Sequence, residues 1–323
     1  MSVEAHEFIP LPKAGPPLVR SRRRLSSPTA TIVVIAITVV WTIPTVGLLV
    51  TSVRPVWQTK RSGWWMVFED RTVTIDNYVQ VLTGGGILPE GIAPYLFNTV
   101  AIALPATVVP ILLACMAAYA IAWVPFRGAS LVFVGIVALQ VLPIQMTLLP
   151  LLTMFSNGWS IGPVPIFPNL DNPETGRSLL MGTYIPLWMI HTVVSLPLAV
   201  FLMHNMIARV PREIIDAARI DGASHYVIFR RMVLPLSVPA IAAFGIFQFL
   251  WVWNDYIVAL TFAGSSPDVA PVTPYLAKLA GGYGVNEHLL TAGAFIAIMI
   301  PVAVFFLLQR HFARGLVVGA VDG

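Results

Sequence analysis

The sequence predicts an all-α membrane protein with six transmembrane helices, and three observations predict it. The 323 residues are 57% hydrophobic and only 11% charged, with a mean hydropathy of +0.81; a soluble domain carries about 25% charged residues. The apolar residues fall in runs that reach the roughly 20 residues a helix needs to cross a hydrocarbon core. The basic residues are shared unequally between the two sets of loops that these runs leave.

The spans read as Thr29–Thr51, Leu96–Trp123, Ser130–Leu152, Gly182–Met206, Leu236–Phe262 and Leu290–Phe312. The third is interrupted by Gln140, Gln145 and prolines. With both termini inside, thirteen of the 19 Lys and Arg residues lie on the inner side and six on the outer. The positive-inside rule therefore predicts cytoplasmic N- and C-termini and an even number of spans. Residues 1–28 read as a flexible basic cytoplasmic tail and 29–95 as the first span with an outer loop. Residues 96–313 read as a five-span core with an inner loop at 207–235, and 314–323 as a second cytoplasmic tail.

Within Val53–Pro94, Thr74 or Asp76 is placed to cap a short helix over Ile75–Leu82. Asn157–Met181, rich in Pro and Gly, reads as an outer loop. Prolines recur in the spans, among them Pro105, Pro110, Pro143, Pro197, Pro239 and Pro301. Each removes a backbone donor and frees a carbonyl that only a neighbouring helix or water can satisfy at membrane depth. Cys115 is the only cysteine, which rules out an internal disulfide and a cysteine-based metal site; no metal ligand set is predicted.

The polar exception is Pro211–Pro235, PREIIDAARIDGASHYVIFRRMVLP, a charged stretch between two apolar runs. Pro211 suits a first helical turn, where its missing donor is harmless. Glu213 and Asp216 then lie near the positive end of that helix, with Arg219 one turn after Asp216. Ile214, Ala217 and Ala218 share a face and predict a flat stripe of small side chains. Asp221-Gly222 is predicted to break the helix, glycine supplying a conformation that side chains penalise. Ser224 or Asp221 can cap a second helix running to Arg230 and Arg231 near its negative end. The expected product is a helix–turn–helix elbow across the inner membrane face. Read without its spacing, the stretch is equally an amphipathic loop drawn to anionic lipid.

The spacing carries a resemblance. Asp216-Ala217-Ala218, Gly222 four residues after Ala218, and Met232-x-Leu234-Pro235 resemble the cytoplasmic loop of bacterial ABC importer permeases. Asp216 stands where that family usually has Glu, and Met232 where it has Ile. Trp253-Asn254-Asp255 resembles the signature of the carbohydrate-type members. Gln309 to Phe312, Arg314-Gly315-Leu316 and Gly319-Ala320-Val321-Asp322-Gly323 resemble their C-terminal ending, with Asp322 where Lys is common. From Leu96 to Gly323 the chain is similar to the second permease subunit of maltose-type sugar importers.

The resemblance implies a type I ABC importer permease of the cytoplasmic (inner) membrane, forming half of a pathway for an oligosaccharide. The Thr51–Pro55 and Ser62–Trp65 segments resemble permeases for α-glucosides. The implied partners are a second permease in a heterodimer, a dimeric cytoplasmic ATPase, an extracytoplasmic sugar-binding protein and membrane lipid. Glu213, Asp216, Ala217, Ala218, Asp221, Gly222, Ala223, Leu234 and Pro235 would couple to the ATPase, and Gly319, Ala320, Val321 and Gly323 would give a second contact. ATP and Mg would bind the ATPase, this chain holding no cofactor.

Gln248, Trp251, Trp253, Asn254 and Asp255 are the candidate pathway residues. Polar groups at membrane depth are costly and face cavities or partners, and amides and carboxylates beside aromatic rings suit a sugar. Gln248, Trp251 and Asp255 share one helical face at i, i+3 and i+7; the alternative role is hydrogen bonding between helices. Gln140, Gln145 and His191 are weaker candidates of the same kind. Trp64 and Trp65 read as headgroup anchors or as a sugar-facing pair.

Two other classes compete. A stand-alone secondary transporter or channel for a small polar solute needs coupling carboxylates inside the bundle, and only Asp255 falls within a span. A membrane enzyme needs a motif that the chain lacks: there is no His-Glu-x-x-His, Gly-x-Ser-x-Gly or Gly-x4-Gly-Lys-Ser/Thr. The chain therefore reads as a non-catalytic subunit that works with a separate ATPase. The basic balance belongs to membrane topology, and no nucleic acid is expected.

Overall fold

The computed structural model describes residues 28–85, 90–167, 182–264, 266–281 and 285–319. In chain order, α1 (Pro28–Ser52) leads through α2 (Val56–Thr59) and a 3-10 turn at Trp64–Phe68 to α3 (Asp76–Thr83). α4 (Ala93–Trp123) is followed by α5 (Ala129–Ala138), a 3-10 turn at Leu139–Val141, and α6 (Ile144–Asn157). A two-stranded antiparallel ribbon, β1 (Trp159–Ile161) and β2 (Val164–Phe167), then precedes α7 (Ile185–Ile207). α8 (Arg212–Ile220), α9 (His225–Ile228), a π turn at Phe229–Val233 and α10 (Leu234–Trp253) come next. α11 (Ile257–Phe262), α12 (Val272–Ala280) and α13 (Glu287–Gly319) complete the described chain.

Five of these helices are long and apolar enough to cross a bilayer: α1, α4, α7, the continuous run His225–Trp253, and Glu287–Leu307 of α13. The expected third span, Ser130–Leu152, is not one helix. Ala129–Val141 and Ile144–Asn157 meet at an angle of 98°. Proline disfavours the helical conformation in the residue before it, and Leu142, before Pro143, is extended (φ −71°, ψ 118°). The ribbon corrects the reading of Asn157–Met181 as loop throughout; its residues 168–181, the tail 1–27 and the ending 320–323 lie outside the described residues.

The fifth span differs at both ends. It does not start at Leu236: the helix begins at His225 and runs unbroken to Trp253. A proline inside a helix lacks its own donor, and its ring presses on the carbonyl four residues back. The chain widens into a π turn just before Pro235, the Leu234 amide bonding the Phe229 carbonyl. Arg230 and Arg231 therefore lie within a helix and not at its negative end. At the other end the helix stops at Trp253, so Asp255 sits between α10 and α11 and leaves the helical face expected of it.

The described residues form two units, 28–46 and Gly47 onward. In the first, the Thr38 hydroxyl donates to the Val34 carbonyl and the Thr42 hydroxyl to the Thr38 carbonyl. These bonds satisfy the hydroxyls inside an otherwise apolar helix. In the second unit, α4 threads three buried clusters. Ala114, Cys115, Ala118 and Tyr119 join α7, α8 and the π turn at one end. Ile102, Ala103 and Ala106 pack on α6, α7, α10 and α11 in the middle. Tyr95 meets α3, α12 and α13 at the other end. Ala103, Ala106, Ala114 and Ala118 are fully buried; small side chains of this kind let helix backbones approach closely in a membrane.

The two prolines of α4 free the carbonyls of Ala101 and Ala106, and each finds a donor on a neighbouring helix. Trp188 Nε1 of α7 donates to the Ala101 carbonyl at 2.9 Å. Gln248 Nε2 of α10 donates to the Ala106 carbonyl at 3.1 Å. The breaks that the prolines make in one helix are thus the points where two others are attached to it.

The segment after α1 is organised by Arg54, only 2% exposed. A guanidinium has five N–H donors. Here they meet the Gln58 side chain and carbonyl, the Ser62 carbonyl and hydroxyl, and the Gly63 carbonyl. Asn77 of α3 donates to the carbonyls of Ser52 and Arg54; Thr74, one residue before the N-cap Ile75, accepts from the Asp76 amide. The tryptophan pair is split. Trp64 presses on Gly47, where a Cβ would lie 2.7 Å from its Nε1, while Trp65 is exposed.

Candidate functional site

The charged loop is held on the end of α4 by hydrogen bonds and packing. α8 ends as predicted at Gly222, whose φ of +79° is in the left-handed region that glycine adopts freely. The Ala223 amide bonds the Ala218 carbonyl at 2.9 Å and the Gly222 amide bonds the Arg219 carbonyl at 3.0 Å. This pair of bonds is a Schellman motif. It explains the spacing of Ala218, Gly222 and Ala223: the alanine supplies the third-last carbonyl, the glycine the turn and Ala223 the closing amide. Ser224 rather than Asp221 caps α9, its hydroxyl accepting from the Val227 amide at 3.5 Å.

Two side-chain bonds fix this loop to the bundle, and a third ties α4 to α7 beneath it. Arg219 Nη2 donates to the Trp123 carbonyl at 3.1 Å, a favourable place for a cation because it lies at the negative end of α4. Trp123 Nε1 donates to the carbonyl of Ile207, the last residue of α7, at 3.1 Å. The Tyr119 hydroxyl and His225 Nδ1 are 2.9 Å apart. The sequence reading placed Arg219 one turn after Asp216; the structure gives its guanidinium to a helix terminus. Tyr119, Trp123 and His225 were not foreseen, because their roles depend on the end of α4 meeting residues about a hundred positions later.

The inward face of α8 also differs from the expected one. Ile215 and Ala218 are buried, whereas Ile214 and Ala217 are exposed. The stripe of Ile214, Ala217 and Ala218 is therefore split between two faces. The outward surface carries Glu213, Ile214, Asp216, Ala217, Ile220 and Asp221, followed by Tyr226. Ile220 is 86% exposed and Tyr226 65% exposed. Apolar side chains projecting among carboxylates are suited to seating in a partner's cleft. Leu234 and Pro235 lie away from this surface, behind the π turn on the continuous helix.

The five pathway candidates divide. Gln248 is 1% exposed and Trp253 3% exposed; one bonds α4, the other packs on Phe249 at a centroid distance of 5.4 Å. Both serve helix packing. Trp251, Asn254 and Asp255 instead line an open groove of about 730 Å³, together with Phe247, Leu250, Tyr256 and Ile257. Phe247, Leu250, Trp251 and Asn254 share one face of α10 at i, i+3, i+4 and i+7. Asn254 is exposed, its amide donating to the Leu250 carbonyl at 2.7 Å. The Asp255 carboxylate accepts from the amides of Val258 (3.4 Å) and Ala259 (2.9 Å), so it caps α11. His191 of α7 is buried beside it, Nε2 lying 3.8 Å from Asp255 Oδ2, with its ring edge-to-face to Trp251. Gln140 and Gln145 are exposed at the bend between α5 and α6.

Fold and site together define a helical membrane protein that presents a polar helical loop at the end of α4. The chain belongs to the family of inner membrane components of binding-protein-dependent transport systems, whose model matches residues 110–318. It is similar to the osmoprotective compounds uptake permease protein GgtD of Synechocystis sp., with 42% identity over 90% of each chain. It is also similar to the alpha-glucoside transport system permease protein AglG of Rhizobium meliloti, with 45% identity over 77% of this chain and 60% of that one. A bacterial ABC transporter involved in import of the acidic polysaccharide alginate shares the fold. One of its chains superposes with a TM-score of 0.63 at 17% identity, over 89% of this chain and 99% of that one.

Proposed function

We propose that this chain is the permease subunit of an ATP-driven importer for a neutral oligosaccharide, with α-glucosides the favoured class. The observation that carries the coupling role is the loop itself. Its outward residues Glu213, Asp216, Ala217 and Asp221 stand on a helix whose inward residues and C-terminus are locked to α4. A force on that surface reaches α4 through Arg219 and reaches α10 directly, because α9, the π turn and α10 are one helix. The partners in this reading are a dimeric cytoplasmic ATPase with its ATP and Mg, a second permease and an extracytoplasmic binding protein. Both termini are cytoplasmic, following the distribution of basic residues, and residues 319–323 make the second contact to the ATPase. The sugar class rests on the similarity to the alpha-glucoside permease.

The test is co-purification and uptake. A tagged chain brings down an ATPase and a second permease, and vesicles holding the complex and its binding protein accumulate a labelled α-glucoside only with ATP. Uptake without ATP by the chain alone would overturn the reading in favour of a secondary transporter.

A further inference from the structure

The groove on the outer face of α10 holds three features that do not suit lipid. It contains a carboxylate, an exposed carboxamide and the non-helical stretch Asn254–Tyr256 between two apolar helices. Broken backbone within a span is tolerated only against protein or water, and an acidic side chain there is costly unless it has a partner or a wet cavity. The same groove carries the rings of Trp251 and Tyr256. A carboxylate has room for about four hydrogen bonds; the Asp255 oxygens use two of these places on backbone amides of α11.

We propose that this groove is a subsite for a neutral polyhydroxylated solute, read by Asp255. The carboxylate oxygens accept hydrogen bonds from solute hydroxyls, and the Trp251 and Tyr256 rings cover an apolar C–H face. Asn254 stands at the rim as a second polar group. His191, only 1% exposed and set against both Asp255 and Trp251, is a positioning residue: it backs the carboxylate from α7 and keeps it turned toward the groove. Gln248 and Trp253, although neighbours in sequence, have no part in the subsite because they face the packed side of α10. This inference rests on the importer reading and adds that this permease itself touches the cargo.

The test uses the full complex in vesicles, with its binding protein and ATP, and an Asn254→Cys probe. Cys115, the only native cysteine of the chain, is buried. The thiol introduced by Asn254→Cys is then the accessible one, followed by mass spectrometry of this chain. Labelling by a membrane-impermeant maleimide is expected to slow about tenfold when maltose or trehalose is added at about ten times its half-protection concentration. Asp255→Asn, close in shape, is expected to abolish protection, judged against that variant's own sugar-free labelling, which rises because the carboxylate disfavouring the neighbouring thiolate is gone. His191→Asn is expected to raise the half-protection concentration, judged in the same way against its own sugar-free labelling. Protection that persists in Asp255→Asn overturns the subsite, as does reaction only with a lipid-soluble maleimide. Unprotected labelling in a complex that imports the sugar overturns the subsite and leaves the importer reading standing. Failure of the parent complex to import any neutral disaccharide overturns the importer reading, and the subsite with it.

Discussion

The Gln248 side chain donates to the Ala106 carbonyl at 3.1 Å, and Ala106 is the residue whose intrahelical partner is removed by Pro110. One bond thus joins α10 to α4 at the point where α4 cannot satisfy itself. Gln248→Leu should destabilise the fold by about 1–3 kcal/mol, the cost of an orphaned buried group. Pro110→Ala returns a donor to Ala106, so the same Gln248→Leu change should cost much less in that background. Thermal or denaturant unfolding in detergent of the four variants reads this coupling; equal costs in both backgrounds would contradict it.

Trp188 stands in the same relation to Ala101 and Pro105. Trp188→Phe keeps a ring but removes the donor, and should lower stability by about 1 kcal/mol. Pro105→Ala should restore part of that loss, measured by the same unfolding experiment.

Arg219→Ala should free α8 from the end of α4. Amide exchange across residues 212–224 is then expected to speed up while the spans stay protected, and ATP-driven uptake should fall. Arg219→Lys, which keeps the charge near the negative end of α4, should lie between the two. Unchanged exchange in Arg219→Ala would show that the bond to the Trp123 carbonyl does not hold the loop.

At Gly222 a Cβ would meet nothing within 4 Å, so any penalty comes from the backbone alone. Gly222→Ala should therefore cost about 1–2 kcal/mol, the penalty of a left-handed conformation for an L residue, and should reduce uptake partially. Gly222→Pro and Asp216→Lys should abolish ATP-driven uptake while the subunit still inserts. Normal uptake by both of these would refute the coupling role of the loop.

Arg54→Met should release the Ser62 and Gly63 carbonyls and cost at least about 2 kcal/mol. Limited proteolysis is the direct readout, with new cleavage expected between α2 and α3 and none in α4. Resistance equal to that of the parent would show that the segment holds without the guanidinium.

Much of the architecture was legible because lipid imposes length and polarity on a sequence. The five continuous spans follow from apolar runs, and the interruption between α5 and α6 was signalled by Gln140, Gln145 and Pro143. The turn at Gly222 was legible because a Schellman motif is local: its bonds close within six residues. The missed features are those in which two helical faces competed. In α8 both Ile214 with Ala217 and Ile215 with Ala218 have helical spacing, and only contact with α4 and α7 selects the second pair. In α10, Gln248 and Asp255 are both polar residues near an apolar span. One is turned toward a carbonyl freed by a proline on another helix, the other toward a groove.

The sequence by itself determined that the chain spans a membrane, where its polar loop lies, and that Gly222 ends the loop's first helix, because these follow from periodicity and backbone chemistry over short distances. Only the tertiary structure decided that the loop's second helix and the fifth span are one rod, that Arg219 clamps a helix end, and that Asp255 is exposed to a groove while Gln248 is not. Those outcomes depend on which donor meets which orphaned acceptor across the bundle, and partners about a hundred residues apart leave no pattern in either neighbourhood.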